Sequence, residues 1–240
     1  MEVDINISII IPVYREEGHI NAAITALLAL KKTGAEYLEI IVVDGDQSGS
    51  TIGAIKSKEV ITMTAAKGRA LQMNTGAKIA RGEILLFLHA DTFLPENGLA
   101  KIKEAIVSKK YVAGAFNLST KGMNLFMKHI YYTSVLRSRV TRIAYGDQAI
   151  FIDKDYFEQL GGYPEIPIME DIELMAKIKK NKDKICILKE KASTSPRRYE
   201  EEGQIFNWLR NHKIRLLYFL GVKPEQLVKL YPDTRKKNEI

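Results

Sequence analysis

The chain has 240 residues, a formal net charge of +7, 46% hydrophobic and 27% charged residues. These values fit a folded α/β domain and exclude a disordered chain. A single cysteine, Cys186, excludes an internal disulfide and a cysteine-based zinc site, and points to a reducing, cytoplasmic setting. The opening "MEVDINISIIIPVY" has acids before its apolar run and no small-residue cleavage site, so it does not read as a signal peptide. No apolar stretch reaches the roughly 18 residues that span a bilayer.

The elements follow in chain order. "ISIII" (7–11), "LEIIVV" (38–43) and "EILLFL" (83–88) are continuous apolar runs, the pattern of strands buried on both faces of a parallel sheet. "EVITMT" (59–64) is a weaker strand. Helical spacing predicts helices over 17–32 and over 67–80, where Ala70, Met73, Ala77 and Ala80 share a face. Strand and helix in alternation imply right-handed crossovers and an open, mostly parallel Rossmann-like sheet with helices on both faces. Beyond residue 110, "AGAFNLST" (113–120) and "QAIFID" (148–153) read as strands. Residues 124–140, 170–181 and 203–221 read as helices, the last ending at Gly221 with Pro224 beyond. The run from Lys177 to Lys191 holds seven lysines against two acids, and reads as a solvated basic face. We expect a domain over 1–200, with a nucleotide-binding half to about 92 and an acceptor half from 93, and a helical extension over 201–240.

In open α/β sheets ligands sit outside the carboxyl ends of the strands. Those ends are polar here. The first runs into Pro12, Tyr14 and Glu16, the second ends Asp44-Gly45-Asp46, and the strand at 83–88 ends His89-Ala90-Asp91. A lone aspartate after a strand is most often a helix cap, but three such ends on one edge make a site. No P-loop and no Gly-x-Gly-x-x-Gly follows a strand, so phosphates must be held otherwise. Asp91 with Asp44 or Asp46 could hold Mg²⁺ or Mn²⁺, which would in turn grip a diphosphate.

The segments "SIIIPVYREEGHI", "EIIVVDGDQSGST", "KGRALQMNTGAKIARGEILLFLHADT" and "IMEDIEL" resemble, in order and spacing over about residues 7–200, the family 2 glycosyltransferases of GT-A fold. The Leu-His-Ala-Asp-Thr version is most similar to a small bacterial subgroup. The resemblance implies a nucleotide-sugar donor and an inverting, metal-assisted transfer. By position it implies that Pro12, Tyr14 and Glu16 line the base and ribose, and that Asp44 accepts the N3–H of a uracil-like base, favouring a UDP-sugar. It puts Lys67 and Arg69 near the nucleotide phosphates, Asp91 on the metal, and Asp171, beside Glu170, in the catalytic position as general base. Two positions depart from the pattern. His89 stands where the family has the first aspartate of its metal motif, and is a second candidate ligand. Gly49 stands where the family commonly has an aspartate, which reads as a helix cap.

Other features are read from the residues alone. In "AYGDQAIFI", Asp147 and Gln148 could meet sugar hydroxyls, or simply form a turn before a strand. In "SPRRYEEEG", Arg197 and Arg198 could close over a diphosphate. The helix over 203–221 interleaves apolar residues with Arg210, Lys213 and Arg215. Core packing or a homodimer contact competes there with an interfacial helix on anionic lipid at the inner membrane face, opposite a lipid-linked acceptor. A nucleic-acid partner is not expected, because the basic excess lacks a reading motif. Two alternatives stay open. One is a non-catalytic nucleotide-sugar binder. The other is a haloacid-dehalogenase-like phosphatase with Asp44 as nucleophile, although the chain lacks that family's late acidic motif.

Overall fold

The computed structural model describes residues 6–32, 38–119, 123–195, 199 and 202–231. The first strands are where the apolar runs predict them: β1 (Ile7–Val13), β2 (Leu38–Asp44), β3 (Ile61–Thr64) and β4 (Ile84–Phe87). They are joined by the helices α1 (Ile20–Lys32), α2 (Ser50–Gly53) and α3 (Arg69–Ile79). Then come β5 (Thr92–Phe93), α4 (Gly98–Lys103) running into a π-helical turn over Glu104–Ser108, β6 (Ala113–Leu118) and α5 (Leu125–Thr141). A 3₁₀ turn (Gly146–Gln148) leads to β7 (Ile150–Asp153), α6 (Lys154–Gln159), α7 (Glu170–Lys180), β8 (Ile185–Thr194), α8 (Gln204–Phe219) and α9 (Pro224–Leu227).

Among the described residues the strands form one curled sheet in the order β3-β2-β1-β4-β7-β6-β8-β5. The half from β3 to β4 is parallel, as the continuous apolar runs require, and β7 opens the second half antiparallel to β4. The chain winds outward from β1 to β3 and then returns to the other side of β1 with β4. The direction of winding thus reverses between β1 and β4, and a crevice opens beyond their carboxyl ends.

Alternate residues of the central strands face opposite layers. Ile9, Ile11, Ile40, Val42, Ile84 and Leu86 pack under α1 and α4. Ile10, Ile41, Val43, Leu85 and Phe87 pack under α3, α6 and α7. The closeness of α3 is set by Gly76, where an added Cβ would stand 2.6 Å from Cγ2 of Ile10. The aromatic group Phe87, Phe157 and Tyr163 closes this layer, with ring centroids 4.8–5.6 Å apart.

The lysines of the run are all exposed, spread over the end of α7, the turn after it and β8. Lys177, Lys179 and Lys180 form the last turn of α7, where cations oppose the carbonyl end of the helix dipole. The rest enters β8, which pairs parallel with β6 across a register shift between Ala115 and Asn117. Its apolar start, Ile185 and Cys186, is buried. Further out, α8 packs Ile214 against Met169 and Ile172. No helix among the described residues is long and apolar enough to cross a membrane.

Candidate active site

The register of β1 and β2 sets Val13 opposite Asp44, so the polar residues that follow leave the sheet at one level. Gln72 of α3 ties these ends together: its Nε2 donates to the carbonyls of Val13 at 2.6 Å and Val43 at 2.8 Å. Gly45 leaves room for that side chain, since a Cβ there would meet Gln72 Oε1 at 2.9 Å. Beyond β1, Lys67 Nζ lies 3.8 Å from the centroid of the Tyr14 ring, a cation–π contact that makes one wall of the crevice. Pro12, at the end of β1, is half-buried. The backbone N–H of Glu16 donates to Thr51 Oγ1 at 3.0 Å, and its carboxylate faces His19 Nδ1 at 3.4 Å.

The Asp44 side chain is wholly buried. Oδ1 accepts from Asp46 N at 2.9 Å, and Oδ2 accepts from the N–H groups of Thr51 and Ile52 at 3.0 and 3.4 Å. It therefore satisfies the open amides at the start of α2. Three of the carboxylate's lone-pair sites are thus taken by backbone amides. That geometry explains Gly49, which sits at the N-cap with φ +65°: a left-handed position that glycine takes without strain, relieved of capping by Asp44. Asp46 stands nearer the surface, with Arg15 Nε at 3.8 Å. The Ser48 backbone and side chain hold its carboxyl below the usual range, with Ser50 and Arg15 acting in the same sense.

Across the crevice, β4 delivers His89 and Asp91. His89 Nε2 lies 2.6 Å from Arg69 Nη2. Guanidinium only donates, so that nitrogen is the acceptor of a neutral imidazole. In this arrangement that lone pair of His89 faces a cation and not a metal. Arg69 also faces Glu170 Oε1 through Nε at 3.4 Å, an ion pair without hydrogen-bond geometry. Gly146 lies beneath this pair. A Cβ there would be 2.3 Å from Arg69 Nη2 and 3.2 Å from His89 Nε2.

The N–H of Gly146 donates to Asp171 Oδ2 at 2.6 Å, and Ile172 N donates to Oδ1 at 2.7 Å. Asp171 is the second residue of α7, entered through Met169 at φ +73°, where open N–H groups and the helix dipole favour a carboxylate. Its neighbour Glu170 is only 3% exposed and turns inward to Arg69. Burial raises its pKa, against the pull of Arg69. Glu170 is thus paired with Arg69.

Asp147 follows Gly146. Burial first, then the charge of Asp171, pushes its pKa up to about 6, and Oδ1 is buried with no hydrogen-bond partner among the described residues. The same field reaches Tyr131 of α5. Its pKa is raised by burial and then by Asp147, Tyr199 and Asp91, so Asp91, Asp147 and Asp171 share one region. Gln148 does not join them. It is fully buried, donates to the Phe116 carbonyl and Ser138 Oγ at 3.1 Å each, and accepts from Tyr145 N at 3.2 Å. Its amide joins the turn to β6 and α5.

Asp91 lines a cavity of about 510 Å³. The start of α1 (Gly18, His19), Asn124 and Met127 of α5, and Thr194 and Gln204 share its walls. Among the described residues no three His, Cys, Asp or Glu side chains gather as a metal shell. A single carboxylate, that of Asp91, fits a Mg²⁺ or Mn²⁺ that arrives with a diphosphate and keeps water on its other positions, not a cation caged by protein. Arg197 and Arg198 lie outside the described residues.

Sequence reasoning missed Gln72, Asn74 and Gly146. Asn74 Nδ2 donates to the Tyr163 carbonyl at 2.8 Å, and Tyr163 N donates back to Oδ1 at 2.9 Å. This two-way clamp fixes the turn that leads toward α7. Gly146 and Asn74 carry no local signal, because their partners are distant in the chain.

The model of glycosyl transferase family 2 matches residues 8–156. No curated protein matches the chain. Among solved structures, a mannosyltransferase from Pyrobaculum calidifontis in complex with GDP-Man and Mn²⁺ aligns with TM-score 0.63 and 20% identity, covering 78% of this chain and 56% of that one. S. aureus TarS 1–349 in complex with UDP aligns with TM-score 0.59 and 18% identity, covering 82% and 62%. Its complex with UDP-GlcNAc gives 0.58 and 18%, covering 79% and 58%. Identities this low speak to the fold, which is the mixed α/β GT-A arrangement. The chain spans about three fifths of the length of these neighbours.

Proposed function

Because the chain belongs to glycosyl transferase family 2, we propose that this glycosyltransferase moves a sugar from a nucleoside diphosphate sugar to an acceptor hydroxyl in one inverting displacement. The observation that carries the reading is Asp171. Its carboxylate is fixed by the Gly146 and Ile172 amides at the start of α7, in the same cluster as Arg69 and Asp147 at the carboxyl edge of the sheet.

In this reading Asp171 takes the proton of the acceptor hydroxyl. The freed oxygen forms a bond to the anomeric carbon from the face opposite the diphosphate. The bond from that carbon to the diphosphate oxygen breaks, and its electron pair leaves with the nucleotide. Arg69 and Lys67 supply positive charge where negative charge builds on the leaving diphosphate. Tyr14 and Lys67 wall the nucleotide, and Asp147 meets donor hydroxyls. Asp91 would hold Mg²⁺ or Mn²⁺, which when bound neutralises the diphosphate. The nucleotide complexes of the structural neighbours, with UDP, UDP-GlcNAc and GDP-Man, support a diphosphate donor. Asp44 at the end of β2 is the carboxylate for recognition of a uracil-like base, with Asp46 at the rim beside it.

Asp171→Asn keeps the shape of the side chain but not its basicity, and its amide oxygen can accept only one of the two backbone N–H bonds that the carboxylate takes. Steady-state transfer is expected to fall by at least about a thousandfold, with donor affinity within a fewfold of the parent chain. Transfer retained above a tenth of the parent rate removes Asp171 as the base. A parent chain that binds donor and never turns it over leaves the binding-only alternative standing.

A further inference from the structure

Two helices lie on the body of the protein with outer faces that no described residue covers. On α5, Leu125, Tyr132, Leu136 and Val140 are 50–84% exposed. On α8, Ile205, Leu209, Leu216 and Phe219 are 54–67% exposed. Their spacing follows one side of each helix, and the opposite side of each is the buried one. The helices meet at their first turns. Asn124 Nδ2 donates to Gln204 Oε1 at 3.0 Å, the Phe126 and Trp208 rings stand 6.4 Å apart, and Phe126 and Phe206 share a shallow depression. Farther along, Tyr145 lies between Arg137 of α5 and Arg215 of α8.

An apolar surface this extended, spread over two adjoining helices, is uncommon on a free protein. Its charge is one-sided. Neither α5 nor α8 contains an aspartate or glutamate. Lys128, Arg139 and Lys213 on them are exposed, as are Arg142, Lys223 and Lys229 alongside; the exposed acids nearby are Glu225 on α9 and Glu173 of α7, which accepts from Tyr218. Exposed Leu, Phe and Tyr among cations is the composition of a surface that enters the headgroup layer of a bilayer with anionic lipid. A second copy of the chain fits less well, because two such faces together would oppose cations that outnumber the exposed acids Glu173 and Glu225.

We infer that the joint face of α5 and α8 docks on an anionic membrane surface without spanning it. The cavity beside Asp91 is walled by Asn124, Met127 and Gln204 at the first turns of the same helices. On the transferase reading, the face therefore brings that cavity to an acceptor held at the bilayer. The docking itself does not depend on that reading.

The test is flotation of the full chain with phosphatidylcholine vesicles, neutral or containing about a third phosphatidylglycerol, at low and high salt. The chain is expected to float with the anionic vesicles at low salt, about tenfold more than with the neutral ones, and less at high salt. The double variant Leu136→Glu with Leu216→Glu alters only exposed positions. It is expected to lose about tenfold of this binding with unchanged Tm. Asp171→Asn is expected to float like the parent, so lipid binding is read separately from transfer. The inference is overturned if the parent does not float with anionic vesicles, or if the double variant floats as well as the parent. It is also overturned if the parent is a dimer that the double variant dissociates, or if only an acidic protein binds the face.

Discussion

At Gly146 a hydrogen stands where any other residue would put a carbon 2.3 Å from Arg69 Nη2. The arginine end can swing away from an added methyl, but only by leaving His89 and Glu170, its partners at 2.6 and 3.4 Å. Gly146→Ala is therefore expected to cost little stability and to reduce transfer by about a hundredfold, since misplacement of an orienting charge is expensive in the transition state. Circular dichroism and initial rates on the same preparation check this; a variant with parental rates would show that the Arg69–His89 pair is dispensable. Asp147 makes a prediction in pH. Its carboxyl titrates at about 6 in the folded chain against about 3.9 unfolded. Between these values the folded state binds more protons, so stability falls as pH rises from about 4 to 6 and stays level above. Asp147→Asn removes that loss. It is expected to raise stability at pH 8 by on the order of 2 kcal/mol, less at pH 4, and to weaken donor turnover. Thermal melts at both pH values would contradict this if the gain were equal or reversed. The residue types of the site were legible in the sequence, and their orientation was not. "DGD" offered two carboxylates, and only the fold decides that Asp44 turns under the helix start while Asp46 stays at the rim.

Among the elements, α3 is the one whose sequence does most for the site. Arg69 reaches His89 and Glu170, Gln72 joins β1 to β2, Asn74 clamps Tyr163, and Gly76 lets the helix down onto Ile10. Its apolar spacing predicted a helix. It said nothing of the polar partners, because a side-chain bond across 89 residues leaves no periodic trace. Asn74→Ala would leave the Tyr163 N–H and carbonyl without partners. It is expected to lower stability by about 2 kcal/mol and to loosen the approach to α7; an unchanged urea midpoint would show that water replaces both bonds. The strands β1, β2 and β4 were readable because strands covered on both faces are uniformly apolar. β8 was obscured by its lysines, which belong to the half-open outer part of the sheet where cations discourage strand pairing with other molecules.

At the scale of the whole molecule, the sheet order β3-β2-β1-β4 brings the residues after β1, β2 and β4 to one edge. The antiparallel return through β7 then sets the Gly146–Gln148 turn, and with it Asp171, against that edge. The parallel half and its ligand edge follow from apolar patterning and chain order. The second half does not, since the pairing of β6 with β8 and β7 depends on long-range contacts. The account's central claim is that this edge accepts a nucleoside diphosphate, with Asp91 bearing the accompanying cation. Titration calorimetry of UDP and GDP, each with and without Mn²⁺, into the parent chain and Asp91→Ala tests it most directly. Binding of at least one diphosphate is predicted, strengthened about tenfold or more by Mn²⁺ in the parent and not in Asp91→Ala. No heat with either nucleotide, or equal Mn²⁺ dependence in both proteins, would contradict it.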